Sequence, residues 1–261
     1  MQQRIICIIA GQRAGTTALQ HAMHATGAVR NYGEIFQTRL DRVDGDRHTF
    51  VSFVRQNNIA LSDTIASTGA AIAARQYLDW LREGAGSRHV LIDVKLNAWS
   101  ALSPAWRYPH EEPFFLARLK EERAVLLLVW RKNLAEQVLS LFIARELGIW
   151  HNLSARRLAG RTITAPIKQL ERLSTLICRS ESDMNEHLQD YSDKISIAYE
   201  DLYRDGELTE SFKFALHAQT GIELSLRPLR IRPNVSKRDI VTNYEEAAAA
   251  ISAIAAKYRL T

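Results

Sequence analysis

A glycine-bearing turn near the N-terminus is the first segment whose residue types could do chemistry. Residues 11–17 read Gly-Gln-Arg-Ala-Gly-Thr-Thr and lie between the apolar run 5–10 and a helical pattern that stops at Gly27. An apolar run of this kind is typical of a central strand in a parallel sheet. Free N–H groups at a helix start bind anions, glycines let the backbone approach closely, and Arg13 adds charge. The segment predicts a phosphate-binding loop, with an ordinary helix-capping turn as the alternative.

The loop departs from the pattern of ATP-hydrolysing enzymes. A Walker A loop reads Gly-x-x-x-x-Gly-Lys-Ser/Thr, whereas this loop has the spacing Gly-x-x-x-Gly-Thr-Thr and contains no lysine. The difference argues against ATP hydrolysis. A P-loop kinase of unusual sequence stays open as an alternative.

Arg131 and Ser140 form a second candidate anion site. Arg131 ends the strongest strand pattern of the sequence, 124–130, and open α/β sheets bind ligands at the carboxyl ends of their strands. Ser140 lies on the next predicted helix, about 10 Å beyond the predicted N-cap Asn133 at 1.5 Å per residue. An arginine fork with a hydroxyl suits a phosphate monoester. A surface ion pair of Arg131 is the alternative.

Strands and helices that could position these residues alternate along the chain. The strand patterns are 5–10, 90–95, 124–130 and 194–199, and the helical patterns after the first are 64–83, 111–122, 133–147, 166–189, 207–219 and 242–258. The segment 30–62 is charged and is interpreted as loop-rich. The alternation predicts an α/β fold, a single doubly wound domain over residues 1–261 with a central parallel sheet.

The composition sets limits on the class of protein. The chain has 261 residues, 46% of them hydrophobic and 24% charged, and a net charge of +5, which favours an anionic partner only modestly. Cys7 and Cys178 fit neither a metal site nor a disulfide framework. No apolar run approaches the roughly 20 residues of a membrane span. We expect a cytoplasmic protein without a membrane span, and the absence of a recognition motif disfavours nucleic-acid binding.

Taken together, these motifs resemble the sulfotransferases that use 3′-phosphoadenosine-5′-phosphosulfate (PAPS). Arg13-Ala14-Gly15-Thr16-Thr17 resembles the family's 5′-phosphosulfate-binding loop, and Trp130-Arg131 with Ser140 resembles its 3′-phosphate-binding element. Tyr199-Glu200-Asp201-Leu202 looks like the strand-end motif whose tyrosine lies against the adenine. The resemblance is greatest to bacterial carbohydrate sulfotransferases of the trehalose sulfotransferase type, which share the arginine–serine spacing and a Lys-Leu strand end like Lys95-Leu96.

The resemblance implies a P-loop-like sulfotransferase fold and an enzyme that moves a sulfuryl group from PAPS to an acceptor hydroxyl. The product nucleotide would be adenosine 3′,5′-bisphosphate (PAP), and no metal is expected. Arg13 and Lys95 would stabilise the sulfuryl group and the leaving phosphate. Glu34, in a Gly-Glu-Ile-Phe stretch that matches the carbohydrate-acting branch, would be the catalytic base. In another branch a histidine takes this role, but Asn97 stands at that position and cannot accept the proton.

The basic tail and two variable regions complete the expectations. Residues 232–238 resemble the segment that closes over the 3′-phosphate, and either Lys237 or Arg238 would make the contact. The regions 37–62 and 148–165 are expected to shape the pocket of a small-molecule or glycan acceptor. The oligomeric state, including a homodimer, stays open. A nucleotide-binding module without catalysis is a further alternative.

Overall fold

The computed structural model describes residues 3–37, 48–60, 67–99, 111–149, 160–205, 207–224 and 236–259. The strands are β1 Ile5–Ala10, β2 Val29–Glu34, β3 His89–Lys95, β4 Val125–Trp130, β5 Lys194–Ala198, β6 Tyr203–Arg204 and β7 Glu207–Leu208. The α-helices are α1 Thr16–Ala25, α2 Phe50–Gln56, α3 Ser67–Ala85, α4 Phe114–Glu121, α5 Leu134–Leu147, α6 Ile167–His187, α7 Tyr199–Leu202, α8 Glu210–Thr220 and α9 Tyr244–Arg259.

Five parallel strands form the central sheet in the order β2-β3-β1-β4-β5. Ala10, the last residue of β1, lies between Lys95 of β3 and Val129 of β4 in the register of the sheet. The carboxyl ends of these strands therefore meet at one edge. The loop after β1 and the side chains that end β3 and β4 leave the sheet at the same point.

Helices cover both faces of the sheet, which confirms the predicted doubly wound α/β fold. Cys7 and Ile9 of β1 pack in the core formed with α2, α3 and α4, whereas Ile6 and Ile8 pack with α1 and α8 on the other face. The chain thus leaves β1 toward one face and leaves the neighbouring strand β3 toward the other. Such a switch point is where open α/β sheets bind ligands.

The predicted loop-rich character of segment 30–62 is wrong in two places. Val29–Glu34 forms the edge strand β2, and Phe50–Gln56 forms the helix α2. The strand escapes detection because it pairs on one side only, and Val29 and Tyr32 are its two buried side chains. The helix predicted at 207–219 also begins later, at Glu210, because 207–208 pairs with 203–204 as a short antiparallel ribbon.

A third layer supports the helix that carries Ser140. The helices α5, α6 and α9 pack on one another through a separate apolar cluster. The segment before α9 is held by a bridge between Ile163 and Val241, next to a hydrogen bond between Ala165 N and Asn243 Oδ1 of 2.8 Å. In the described part of the chain, no helix combines the length and the apolar character that crossing a membrane requires.

Candidate anion-binding and catalytic site

The loop between β1 and α1 has the backbone of an anion-binding turn. Arg13 and Gly15 adopt left-handed conformations, with φ of 63° and 86°. Gly15 is the N-cap of α1, and within the described residues no side chain caps the helix and no acidic residue lies in its first turn. The N–H groups at the start of α1 therefore keep their positive partial charge for a ligand.

Gly15 is in close contact with the ring of Tyr199. A Cβ atom at Gly15 would lie 2.2 Å from Cε2 and 2.4 Å from Cδ2 of that ring. Tyr199 begins α7 directly after β5, so the end of β5 reaches the loop that follows β1. Both the left-handed φ and the tyrosine ring require glycine at this position.

Arg13, Arg131 and Ser140 come together beside this contact. The Nε of Arg13 donates to Oγ of Ser140 at 2.9 Å, and the Arg131 guanidinium carbon lies 4.5 Å from the centroid of the Tyr199 ring. Burial and, secondarily, the charge of Arg131 lower the pKa of Arg13. Two guanidinium groups thus lie close to a hydroxyl in a partly buried space. An anion such as phosphate would offset the repulsion between the two positive charges.

Glu200 holds the turn that carries Arg131. Its carboxylate accepts from the backbone N–H groups of Lys132 at 2.8 Å and Asn133 at 3.3 Å, and its Oε1 lies 3.5 Å from Nε of Arg131. The ion pair considered for Arg131 therefore exists. The Arg131 side chain is nevertheless only 16% exposed, and its guanidinium lies over the Tyr199 ring, which contacts Gly15.

Lys95 occupies the other side of the loop. Its Nζ donates to Oδ2 of Asp93 at 2.7 Å and to Oγ1 of Thr16 at 2.8 Å, and it lies 3.6 Å from Oε1 of Glu34. The Lys95 side chain is 8% exposed and that of Glu34 is 41% exposed. The lysine thus lies beneath the loop, while the carboxylate of Glu34 reaches solvent at the end of β2.

The remaining predicted residues divide into those near the loop and those turned away from it. Ala14 packs in the core and offers only its backbone, and Thr17 is exposed on the first turn of α1. Lys237 pairs with Glu136 in the first turn of α5, one turn before Ser140. Arg238 pairs instead with Glu245 and lies over Tyr244, both on α9. Lys237 therefore lies beside the helix that carries Ser140, whereas Arg238 lies against α9.

Two residues that support the loop were missed by the sequence reasoning. Asp93 is fully buried, and Gln137, also fully buried, donates from Nε2 to the Gln12 carbonyl at 3.0 Å. Spacing could have found both, because Asp93 lies two residues before Lys95 on one face of a strand. Gln137 lies three residues before Ser140 on one face of a helix.

Parts of the expected site lie outside the described residues. These are residues 38–47, 61–62 and 150–159 of the two variable regions and residues 232–235 of the basic tail. Within the described residues, no group of three or more His, Cys, Asp and Glu side chains could hold a metal ion.

Comparisons with known proteins give distant likenesses. No protein-family model and no curated protein matches this chain. The solved structure of a sulfotransferase domain from the curacin biosynthetic pathway is 15% identical, with a TM-score of 0.46 over 96% of this chain and 83% of that one. A sulfotransferase from Alicyclobacillus acidocaldarius is 13% identical, with a TM-score of 0.42 over 99% and 97%. At such identities and TM-scores, neither likeness bears on what this chain does.

The contact between Gly15 and Tyr199 predicts unequal costs for two glycine substitutions. Gly27→Ala places a Cβ in open space, with φ of 73°, so we expect only the left-handed backbone penalty of about 1–2 kcal/mol. Gly15→Ala adds a collision with Tyr199 and should reduce the free energy of unfolding by clearly more. Denaturant unfolding measures both. In a Tyr199→Ala background the two substitutions should cost about the same, and equal costs in the wild-type background would contradict the contact.

Proposed function

We propose that this chain is a sulfotransferase that moves a sulfuryl group from PAPS to a hydroxyl of an acceptor and releases PAP. The observation that carries the proposal is the placement of two different polar groups on the two sides of one loop. Arg13, Arg131 and Ser140 lie on one side, and Lys95 with Glu34 lies on the other. The first group suits a phosphate, and the second suits proton and charge transfer.

The donor nucleotide would use the loop and the neighbouring strand ends. Its 5′-phosphosulfate would take the N–H groups at the start of α1, that of Thr16 among them, with Arg13 and the hydroxyl of Thr17 as further partners. Its 3′-phosphate would take Arg131 and Ser140, because a guanidinium fork and a hydroxyl match a phosphate monoester. The adenine would lie near Tyr199. Of the residues in the basic tail, Lys237 is the candidate to contact the 3′-phosphate.

Sulfuryl transfer would then proceed by in-line displacement. The acceptor oxygen forms a bond to sulfur while the bond between sulfur and the 5′-phosphate oxygen breaks, and that oxygen keeps the electron pair. Lys95 and Arg13 would offset the charge that develops there. Glu34 would take the proton of the acceptor hydroxyl, since its carboxylate is the solvent-reaching group of the Lys95 cluster.

The acceptor is a carbohydrate or a glycolipid in this proposal. Support comes from the stretch Gly33-Glu34-Ile35-Phe36, which resembles that of the carbohydrate-acting branch. The alternative is a nucleotide-binding module without catalysis, for which Glu34 would have no role in turnover. Substitution of Glu34 separates the two.

Glu34→Gln should leave PAP binding near the wild-type value and lower kcat by roughly 10² or more. The amide keeps the shape of the side chain but cannot accept the proton, and a positioned general base contributes about 10²- to 10⁴-fold. The measurement is transfer of ³⁵S from labelled PAPS to carbohydrate and glycolipid acceptors, with PAP affinity determined by calorimetry. Glu83→Gln, the same change on the exposed surface of α3, is the control and should have no effect. Near-normal kcat in Glu34→Gln would remove Glu34 as the base.

Arg131→Ala should weaken binding of PAP far more than binding of adenosine 5′-phosphate, which lacks the 3′-phosphate. A charge-assisted hydrogen bond contributes about 1.5–3 kcal/mol, and each 1.4 kcal/mol is tenfold in affinity. Calorimetric titration gives both dissociation constants. Lys132→Ala removes the adjacent charge, which pairs with Asp201, and serves as the control. Equal weakening of the two nucleotides by Arg131→Ala would mean that Arg131 supports the fold rather than the 3′-phosphate.

A further inference from the structure

Asp93 is a fully buried carboxylate next to the loop. Its Oδ2 accepts three hydrogen bonds, from Nζ of Lys95 at 2.7 Å, Oγ1 of Thr16 at 2.8 Å and Nε2 of Gln20 at 2.6 Å. Asp93 and Lys95 lie two apart on β3 and so point to the same face. Thr16 and Gln20 lie four apart on α1, on the side that meets that face. One carboxylate oxygen therefore links the carboxyl end of β3 to the first two turns of α1.

The hydrogen-bond directions in this cluster follow from the donor groups. An ammonium can only donate, so the Thr16 hydroxyl accepts from Lys95 and gives its own proton to Asp93. Two of the three Lys95 N–H groups are thus used, one on Asp93 and one on Thr16. Glu34 lies at 3.6 Å, beyond hydrogen-bond distance. Glu34 is therefore an ion-pair partner of the ammonium that leaves its third N–H without a hydrogen bond to that carboxylate.

The position of the Lys95 ammonium matters because the loop itself contains no lysine. When the second glycine of a Walker A loop is aligned with Gly15, the Walker lysine falls on Thr16. The Lys95 ammonium donates a hydrogen bond to Oγ1 of Thr16. In a Walker A motif the lysine belongs to the loop itself, whereas here the lysine beside this position belongs to the neighbouring strand β3.

A lysine that reaches in from another strand needs a fixed partner. Its side chain is long and flexible, and burying a carboxylate or an ammonium alone costs several kcal/mol. Asp93 meets both requirements, since it neutralises the ammonium and fixes it against Thr16. We infer that Asp93 is a positioning residue, which holds the Lys95 ammonium beneath the loop so that Lys95 can neutralise the leaving phosphate. This inference rests on the proposed function.

A double-mutant cycle tests whether Asp93 acts through Lys95. Asp93→Asn in the wild-type background should lower kcat at least tenfold and change the KM for PAPS by less. In the Lys95→Met background, which has no ammonium to hold, Asp93→Asn should change kcat by less than about twofold, because the effects of residues that act as a unit do not add. An equal loss in both backgrounds would overturn the inference, since Asp93 would then only support the fold.

Three further variants keep the test decisive. Asp193→Asn removes a less buried aspartate, which pairs with Arg4 at 2.6 Å at the amino end of β5, and should lower stability by the same amount in both backgrounds. If Asp93→Asn does not fold, Thr16→Val replaces it in the cycle, and Thr16→Ser, which keeps the hydroxyl, should retain most of the activity. Loss of kcat by Thr16→Val that is equal with and without Lys95 would overturn the inference.

PAP binding separates failure of this inference from failure of the proposed function. Calorimetry with PAP needs no acceptor and no turnover. If the wild type binds PAP, the proposed function stands. If Asp93→Asn then changes the dissociation constant of PAP equally with and without Lys95, the role of Asp93 is overturned. If wild type binds no PAP, the proposed function fails. Thermal unfolding of the same four proteins is then measured. Additive effects of the two substitutions on stability would overturn the Asp93–Lys95 coupling, and non-additive effects would support it.

Discussion

The register of the central sheet is the constraint on which the candidate site depends. Ala10 lies between Lys95 and Val129, so the loop after β1 begins where β3 ends on one side and β4 ends on the other. A shift of one residue in either pairing would turn the terminal side chains to the opposite face of the sheet. Lys95 would then leave the α1 side and the contact with Thr16. The apolar, fully buried strands make such a shift costly, because each one has to fill both cores.

The cations at this edge are paired with carboxylates, and an anionic ligand could take the place of those carboxylates. Lys95 faces Asp93 and Glu34, Arg131 faces Glu200, and Lys237 faces Glu136. Arg13 is held by the Ser140 hydroxyl, and burial and, secondarily, the nearby guanidinium of Arg131 lower its pKa. An incoming anion would therefore meet cations that are already oriented, which reduces the cost of ordering them on binding. Asp93 differs from the other carboxylates, since it is fully buried and cannot leave its lysine for solvent.

Much of the fold could be predicted from the sequence where the pattern was strong. The strands β1, β3 and β4 are continuous apolar runs, and the Asn133 cap with its bond from the Glu136 N–H lies where the spacing placed it. The edge strand β2 was missed because Arg30, Asn31 and Gly33 give it no apolar alternation. Sequence alone also could not show that Arg13 donates a hydrogen bond to Ser140, 127 residues away, because that contact depends on how the loop after β1 meets the helix α5. The roles of Glu34, Lys95 and the tail came from resemblance and stay predictions.

The most direct test of the central claim is a calorimetric comparison of two nucleotides. PAP is titrated into the protein in the presence of a metal chelator, and ATP is titrated with Mg²⁺ under otherwise equal conditions. We expect PAP to bind with one site per chain and ATP with Mg²⁺ to bind at least tenfold more weakly, a difference of about 1.4 kcal/mol or more. Equal affinities, or PAP binding that requires Mg²⁺, would contradict a site built for a nucleotide with a 3′-phosphate and a sulfuryl donor.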